Sequence, residues 1–146
     1  MADYRIEIPT LHVNLSPVMF HLYATQYYSC KQGFDNDGKF SPVPYFLVCR
    51  AIELELKAKH LESKSRAEVK KQYGHNLKKS YDDLGQAARI LDAEEYRELE
   101  RASAIYDIPN KGFEYVSVAD AATGYSSFPD LSVLDRVARK LIGDDA

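Results

Sequence analysis

Apolar positions recur at helical spacing along most of this chain, and between Pro44 and Glu62 they do so on two opposite sides at once. On a wheel of about 100° per residue, Leu47, Ala51, Leu54, Ala58 and Leu61 share one side, while Tyr45, Val48, Cys49, Ile52 and Leu56 lie nearly opposite. A surface helix needs only one apolar stripe, so this pattern predicts a helix enclosed by neighbours. Its polar residues fall into two narrow seams. One holds Arg50, Glu53, Lys57 and His60 with Phe46 at its head, and the other holds Glu55, Lys59 and Glu62. Each proline in Ser41-Pro42-Val43-Pro44 disfavours a helical residue before it, which places the helix start at Pro44 or Tyr45.

Other helices are legible around this one. Ser16-Pro17 offers an N-cap followed by proline at the first helical position, predicting a helix to about Lys31, before Gly33. Phe20, Tyr23 and Tyr27 are its expected core residues. The charged stretch from Ser63 to Gln72 suits a short exposed helix broken by Gly74. Leu77, Tyr81, Leu84, Ala88 and Leu91 define one amphipathic helix, and Asp92 with Glu95 makes a capping-box start for another carrying Tyr96, Leu99, Ser103 and Tyr106. A last helix, capped by Asp130 or Ser132, carries Leu131, Leu134, Ala138 and Leu141. Period-two alternation marks possible short extended segments at 4–15 and 113–118. Neither a repeat nor a linker interrupts the chain, so 1–146 is expected to be a single, mainly α domain.

Composition narrows the partners. A formal charge of -3 gives no global cationic field for nucleic acid or an anionic membrane. The stretch from Leu15 to Cys30 lacks Asp, Glu, Lys and Arg, yet it is too short to span a bilayer, which makes it a core helix. Cys30 and Cys49 lie in apolar helical patterns without metal-ligand spacing and are expected to be buried thiols in a reducing, cytoplasmic setting. Asp35-Asn36-Asp37-Gly38 lacks the full ligand spacing of a calcium loop. Neither a metal nor a cofactor is expected.

The run Phe46-Leu47-Val48-Cys49-Arg50-Ala51-Ile52-Glu53-Leu54-Glu55-Leu56-Lys57-Ala58, followed by Tyr73-Gly74-His75-Asn76-Leu77-Lys78-Lys79, resembles prokaryotic HEPN-like domains. The resemblance implies an antiparallel bundle of about five helices, often a homodimer. It also implies functions ranging from metal-independent ribonucleases to toxin-antitoxin and nucleotidyltransferase-associated domains and non-catalytic modules. The nuclease branch carries Arg, then four to six residues, then His, at the start of a late helix. Here only Arg5 and His12 have such spacing, in a proline-containing, strand-like segment. The expectation is therefore a non-catalytic interaction or regulatory domain that pairs with itself or a nucleotidyltransferase, or binds a nucleotide or RNA. An RNA-acting enzyme with a divergent site is the alternative.

Chemistry, if present, is expected in the first seam. Glu53 and Lys57 stand four apart, where carboxylate and ammonium meet on a helix. A Glu53 to His75 hydrogen bond would orient the imidazole, with Arg50 or Lys57 beside an anionic substrate group. Arg50, Glu53, Lys57 and His75 are thus the candidate ligand-binding residues. A charged cluster that only fixes helix register would use the same groups, and no catalytic residue is assigned. His21 and His60 are lone histidines on helices. Lys64, Arg66, Lys70, Lys71, Lys78 and Lys79 form a basic stretch around Gly74, either a phosphate-contacting patch or a solvated face.

Overall fold

A computed structural model describes residues 14–107, 111–115 and 117–146. It contains α1 (Ser16–Gly33), α2 (Val43–His60), α3 (Arg66–Tyr73), α4 (Leu77–Asp82), α5 (Ala93–Tyr106), α6 (Val118–Ala122) and α7 (Leu131–Ile142), with 3-10 turns at Gln86–Ala88 and Gly143–Asp145. Five of these helices have seven residues or more, and no strand occurs among the described residues. Most of the expected extended segment 4–15, including Arg5 and His12, lies outside the described residues.

Side-chain pairs fix the helix directions. Asn14 meets Leu61, His21 meets Glu55 and Arg50 lies over Tyr27, so α1 and α2 run antiparallel. His21 to Asp145, Tyr28 to Arg139 and Lys31 to Asp135 set α7 antiparallel to α1. Glu95 to Lys140 and Glu98 to the Asp130 backbone N–H do the same for α5 and α7. The helices consequently form a mostly antiparallel bundle with α2 at its centre, in contact with α1, α4, α5 and α7; α2 and α7, both opposed to α1, run parallel.

Eleven of the eighteen α2 residues are buried, on both predicted stripes. Val48, Cys49, Ala51, Ile52 and Leu56 are fully enclosed. The helix starts at Val43 and ends at His60, where the Leu61 N–H still bonds the Lys57 carbonyl. Neither lone histidine is without a partner. His60 Nε2 bonds the Ser80 carbonyl at 2.7 Å and stacks on Tyr73 at 4.3 Å, which fastens α2 to α3 and α4. His21 lies between Glu55 Oε2 and Asp145 Oδ2, each at 2.7 Å, with Lys59 on the other Glu55 oxygen at 3.6 Å.

Several local expectations change. Ser16 is already helical and caps nothing. Instead Asn14 accepts from the Ser16 N–H and donates to the Leu61 carbonyl, which fastens the start of α1. Tyr28 is the buried aromatic of α1, Phe20 and Tyr27 are half-buried, and Tyr23 is exposed, as is Cys30. The reason is rotational: α1 packs through Ala24 and Tyr28, which turns Tyr23 and Cys30 outward. Burial holds the Cys49 thiol far above its ordinary pKa, with the nearby Glu53 charge adding to the effect.

The helix expected through Leu91 stops at Asp82. Acidic Asp82 and Asp83 oppose the helix dipole at its C-terminus and Gly85 follows, both unfavourable to continuation. The chain turns back so that the Leu91 N–H donates to Tyr81 Oη at 2.9 Å. Segment 113–118 is no strand where it is described. Its start curls after Gly112, where a Cβ would lie 2.4 Å from the Ile105 side chain, and Phe113 is buried against Tyr45 and Phe128. Its end opens α6, capped by Ser117. The capping box of Asp92 and Glu95 is present, and Asp130 caps α7.

Leu56→Ala should cost about 2 to 5 kcal/mol in urea unfolding, because α2 cannot collapse onto the void from either side. Val118→Ala, on the exposed side of α6, should fall within about 0.5 kcal/mol of the parent. A pH effect follows from His21, whose pKa is raised above 6.5 by its bond to Asp145 and by Glu55, against the opposing effect of burial. A group raised on folding stabilises fully below its unfolded pKa and loses that contribution as pH rises through the folded value. Thermal unfolding should therefore show stability declining above about pH 6.5, and His21→Asn should flatten that decline.

Candidate functional site

The site begins with one carboxylate. Glu53 sits midway along α2 and is only 2 % exposed, so its charge must be met by neighbours or be strongly destabilising. Helical spacing supplies two. Arg50 Nη1 lies 2.8 Å and Lys57 Nζ 3.1 Å from Glu53 Oε1. The third arrives from the α3–α4 corner: Gly74 adopts a left-handed φ of 53°, and Asn76 caps α4 by accepting from the Lys79 N–H, which leaves His75 pointing at α2. His75 Nδ1 is 2.9 Å from Glu53 Oε2 and 3.1 Å from Oε1. The fourth comes from the end of α5, where Tyr106 Oη donates to Glu53 Oε2 at 2.6 Å.

All four sequence-assigned residues thus meet at one point. Burial raises the Glu53 pKa, but Lys57, the hydrogen bonds from Tyr106 and His75, and Arg50 together outweigh it, leaving the carboxyl below its ordinary value. Tyr106 is shifted the other way, by burial and then by the Glu53 charge, and remains a donor. A carboxylate can only accept, so His75 Nδ1 carries the proton. His75 Nε2 has no hydrogen-bond partner among the described residues, and the ring is half exposed.

That ring borders a cleft of about 710 Å³ between α1, α2 and α3. Arg50, Lys57, Arg66 and Lys70 line it, against one carboxylate among the described residues, the already neutralised Glu53. Phe20, Leu54, Leu61 and Val69 provide an apolar wall, with Tyr23 at the rim. Two guanidiniums also lie over rings, Arg50 over Tyr27 at 5.9 Å and Arg66 over Phe20 at 5.7 Å. The combination suits a ligand with an anionic group and a flat or apolar part. Among the described residues no Ser, Thr or Cys lines the cleft.

Sequence reasoning missed Tyr106 as a member of the cluster, since its stripe marked it only as buried. Of the basic stretch around Gly74, Arg66 and Lys70 line the cleft. Lys64 bonds Gln72 and Tyr73, and Lys78 pairs with Asp82. Among the described residues no group of three or more His, Cys, Asp or Glu side chains could hold a metal ion, and no helix is long and apolar enough to cross a membrane. No family model matches the chain, and no curated protein or solved structure matches it either.

Tyr106→Phe should lower stability by about 1 to 3 kcal/mol, the cost of removing one donor from a buried carboxylate. Because the Glu53 pKa is depressed, its contribution is present above the unfolded value and is lost as pH falls through the folded one. The variant should accordingly lose less stability on acidification, measured by denaturant unfolding across pH 3 to 7.

Proposed function

We propose that the chain is a HEPN-like interaction or regulatory domain whose own ligand site is the cationic cleft beside His75, and that the ligand is a nucleotide or a short stretch of RNA. The supporting observation is the arrangement of four cations and an unengaged imidazole nitrogen over an apolar wall, at the place where the HEPN-like sequence runs converge. Arg50 and Lys57 are held by Glu53, so they offer charge at fixed positions without a new ordering cost. Arg66 and Lys70 face them from α3. A phosphate meets the cations and a base meets Phe20 or Tyr23, an arrangement in which aromatic faces accept any base. In this reading the domain works in the cytoplasm as a homodimer or beside a partner such as a nucleotidyltransferase.

The non-catalytic form is favoured because, among the described residues, no nucleophilic side chain of Ser, Thr or Cys borders the cleft. One observation favours the ribonuclease alternative: a histidine held by a buried carboxylate is the geometry of a general acid or base, and RNA carries its own 2′-hydroxyl nucleophile.

Titration with ATP and with a short single-stranded RNA, followed by calorimetry and thermal shift, tests the proposal. Binding should weaken about tenfold for Arg66→Ala or Lys70→Ala, which leaves the Glu53 cluster in place, and it should weaken further with added salt. If neither ligand raises the unfolding midpoint at about 1 mM, the cleft is architectural and the proposal is wrong. RNA cleavage that disappears in His75→Ala, with the helical circular dichroism spectrum kept, would establish the enzymatic alternative.

A further inference from the structure

The outer side of α1 has an unusual composition for a surface. Its exposed positions are Leu15, Val18, Met19, Leu22 and Tyr23, continuing through Gln26, Ser29, Cys30 and Gly33. Their spacing traces one straight stripe along the helix, and none carries a charge. The five leading residues are each 50 to 57 % exposed. The charged groups of α1 itself are engaged elsewhere: His21 faces Glu55 and Asp145, and Lys31 faces Asp135.

We infer that this stripe is a homodimer interface, in which α1 packs antiparallel against α1 of a second copy about a two-fold axis between Met19 and Leu22. The self-partner is favoured by charge. Near a two-fold axis each residue meets its own image or a close neighbour's, so any ionic group there would face its like; the stripe from Leu15 to Gly33 has none. Antiparallel register about that axis sets Met19 against the second copy's Leu22 and Val18 against its Tyr23, apolar on apolar at the centre, with Leu15 against the uncharged Gln26 at each edge. The area is sufficient. Five large side chains, each about half exposed, offer on the order of 500 Å² per copy, hence about 1,000 Å² in all, the size a stable biological contact must reach. Tyr23 also stands at the rim of the cleft, so the second copy's Val18 would border the ligand site. The interface itself rests on none of the ligand reading and stands if no nucleotide binds.

Sedimentation velocity of the whole chain at about 100 µM tests it. The parent should sediment at twice the 16.6 kDa chain mass, and Leu22→Glu as a monomer with its helical circular dichroism spectrum unchanged. Tyr115→Asp, at an exposed residue beyond α5, should remain dimeric. The double variant Met19→Cys, Leu22→Cys should form covalent dimers on mild oxidation, while each single variant should form far fewer. A monomeric parent would overturn the inference. A dimer that survives Leu22→Glu would also overturn it, since the copies would then meet through another face.

Discussion

The buried Glu53 carboxylate is the constraint around which α2, α4 and α5 are arranged. An ionised group at that depth is tolerable only if its oxygens are fully engaged. The donors come from three separate places in the chain: Arg50 and Lys57 from the same helix, His75 from the α3–α4 corner, and Tyr106 from the end of α5. Shifting α5 along its axis would withdraw Tyr106, and unwinding the corner would withdraw His75. An apolar residue at position 53 could pack in many registers. A carboxylate with these four partners accepts only one.

The same electrostatic arrangement produces the cleft. Arg50 and Lys57 are drawn toward Glu53 from the cleft side, while Tyr106 donates from the bundle interior. The charge of the carboxylate is spent inward, and the cations keep an outward-facing surplus that Arg66 and Lys70 extend. Structural and binding roles are therefore not competing accounts of this cluster. The network that fixes helix register also sets the positions of the cations.

What the sequence made legible depended on how local the cause was. The two stripes of α2 were visible because helical periodicity is a property of one segment, and so was the capping box of Asp92 and Glu95. The Glu53, Lys57 and Arg50 grouping followed from spacing along one helix. His75 joined it through the Tyr-Gly-His run. Tyr106 did not, because its hydroxyl reaches Glu53 from a position 53 residues away, and no periodicity reports which atom a buried tyrosine meets. The rotation of α1 was illegible for a related reason. An uncharged helix looks equally buried on every side, so nothing in Leu15 to Cys30 distinguished Tyr23 from Tyr28. The helix break near Asp82 was missed because the stripe continues past it, although Gly85 and two acidic residues already stood there.

The pairing of α1 with α7 has a consequence in time. Lys31 and Asp135 are 104 residues apart, and at about 5 to 20 residues per second their synthesis is separated by roughly 5 to 20 s. During that interval α1 and α2 can already form their antiparallel hairpin, since a short connection joins them. The far side of α2, with Ile52 and Leu56, must wait for helices made later. A nascent chain therefore spends its longest vulnerable stage as a half-covered hairpin, displaying the second apolar stripe of its central helix to whatever else is in reach.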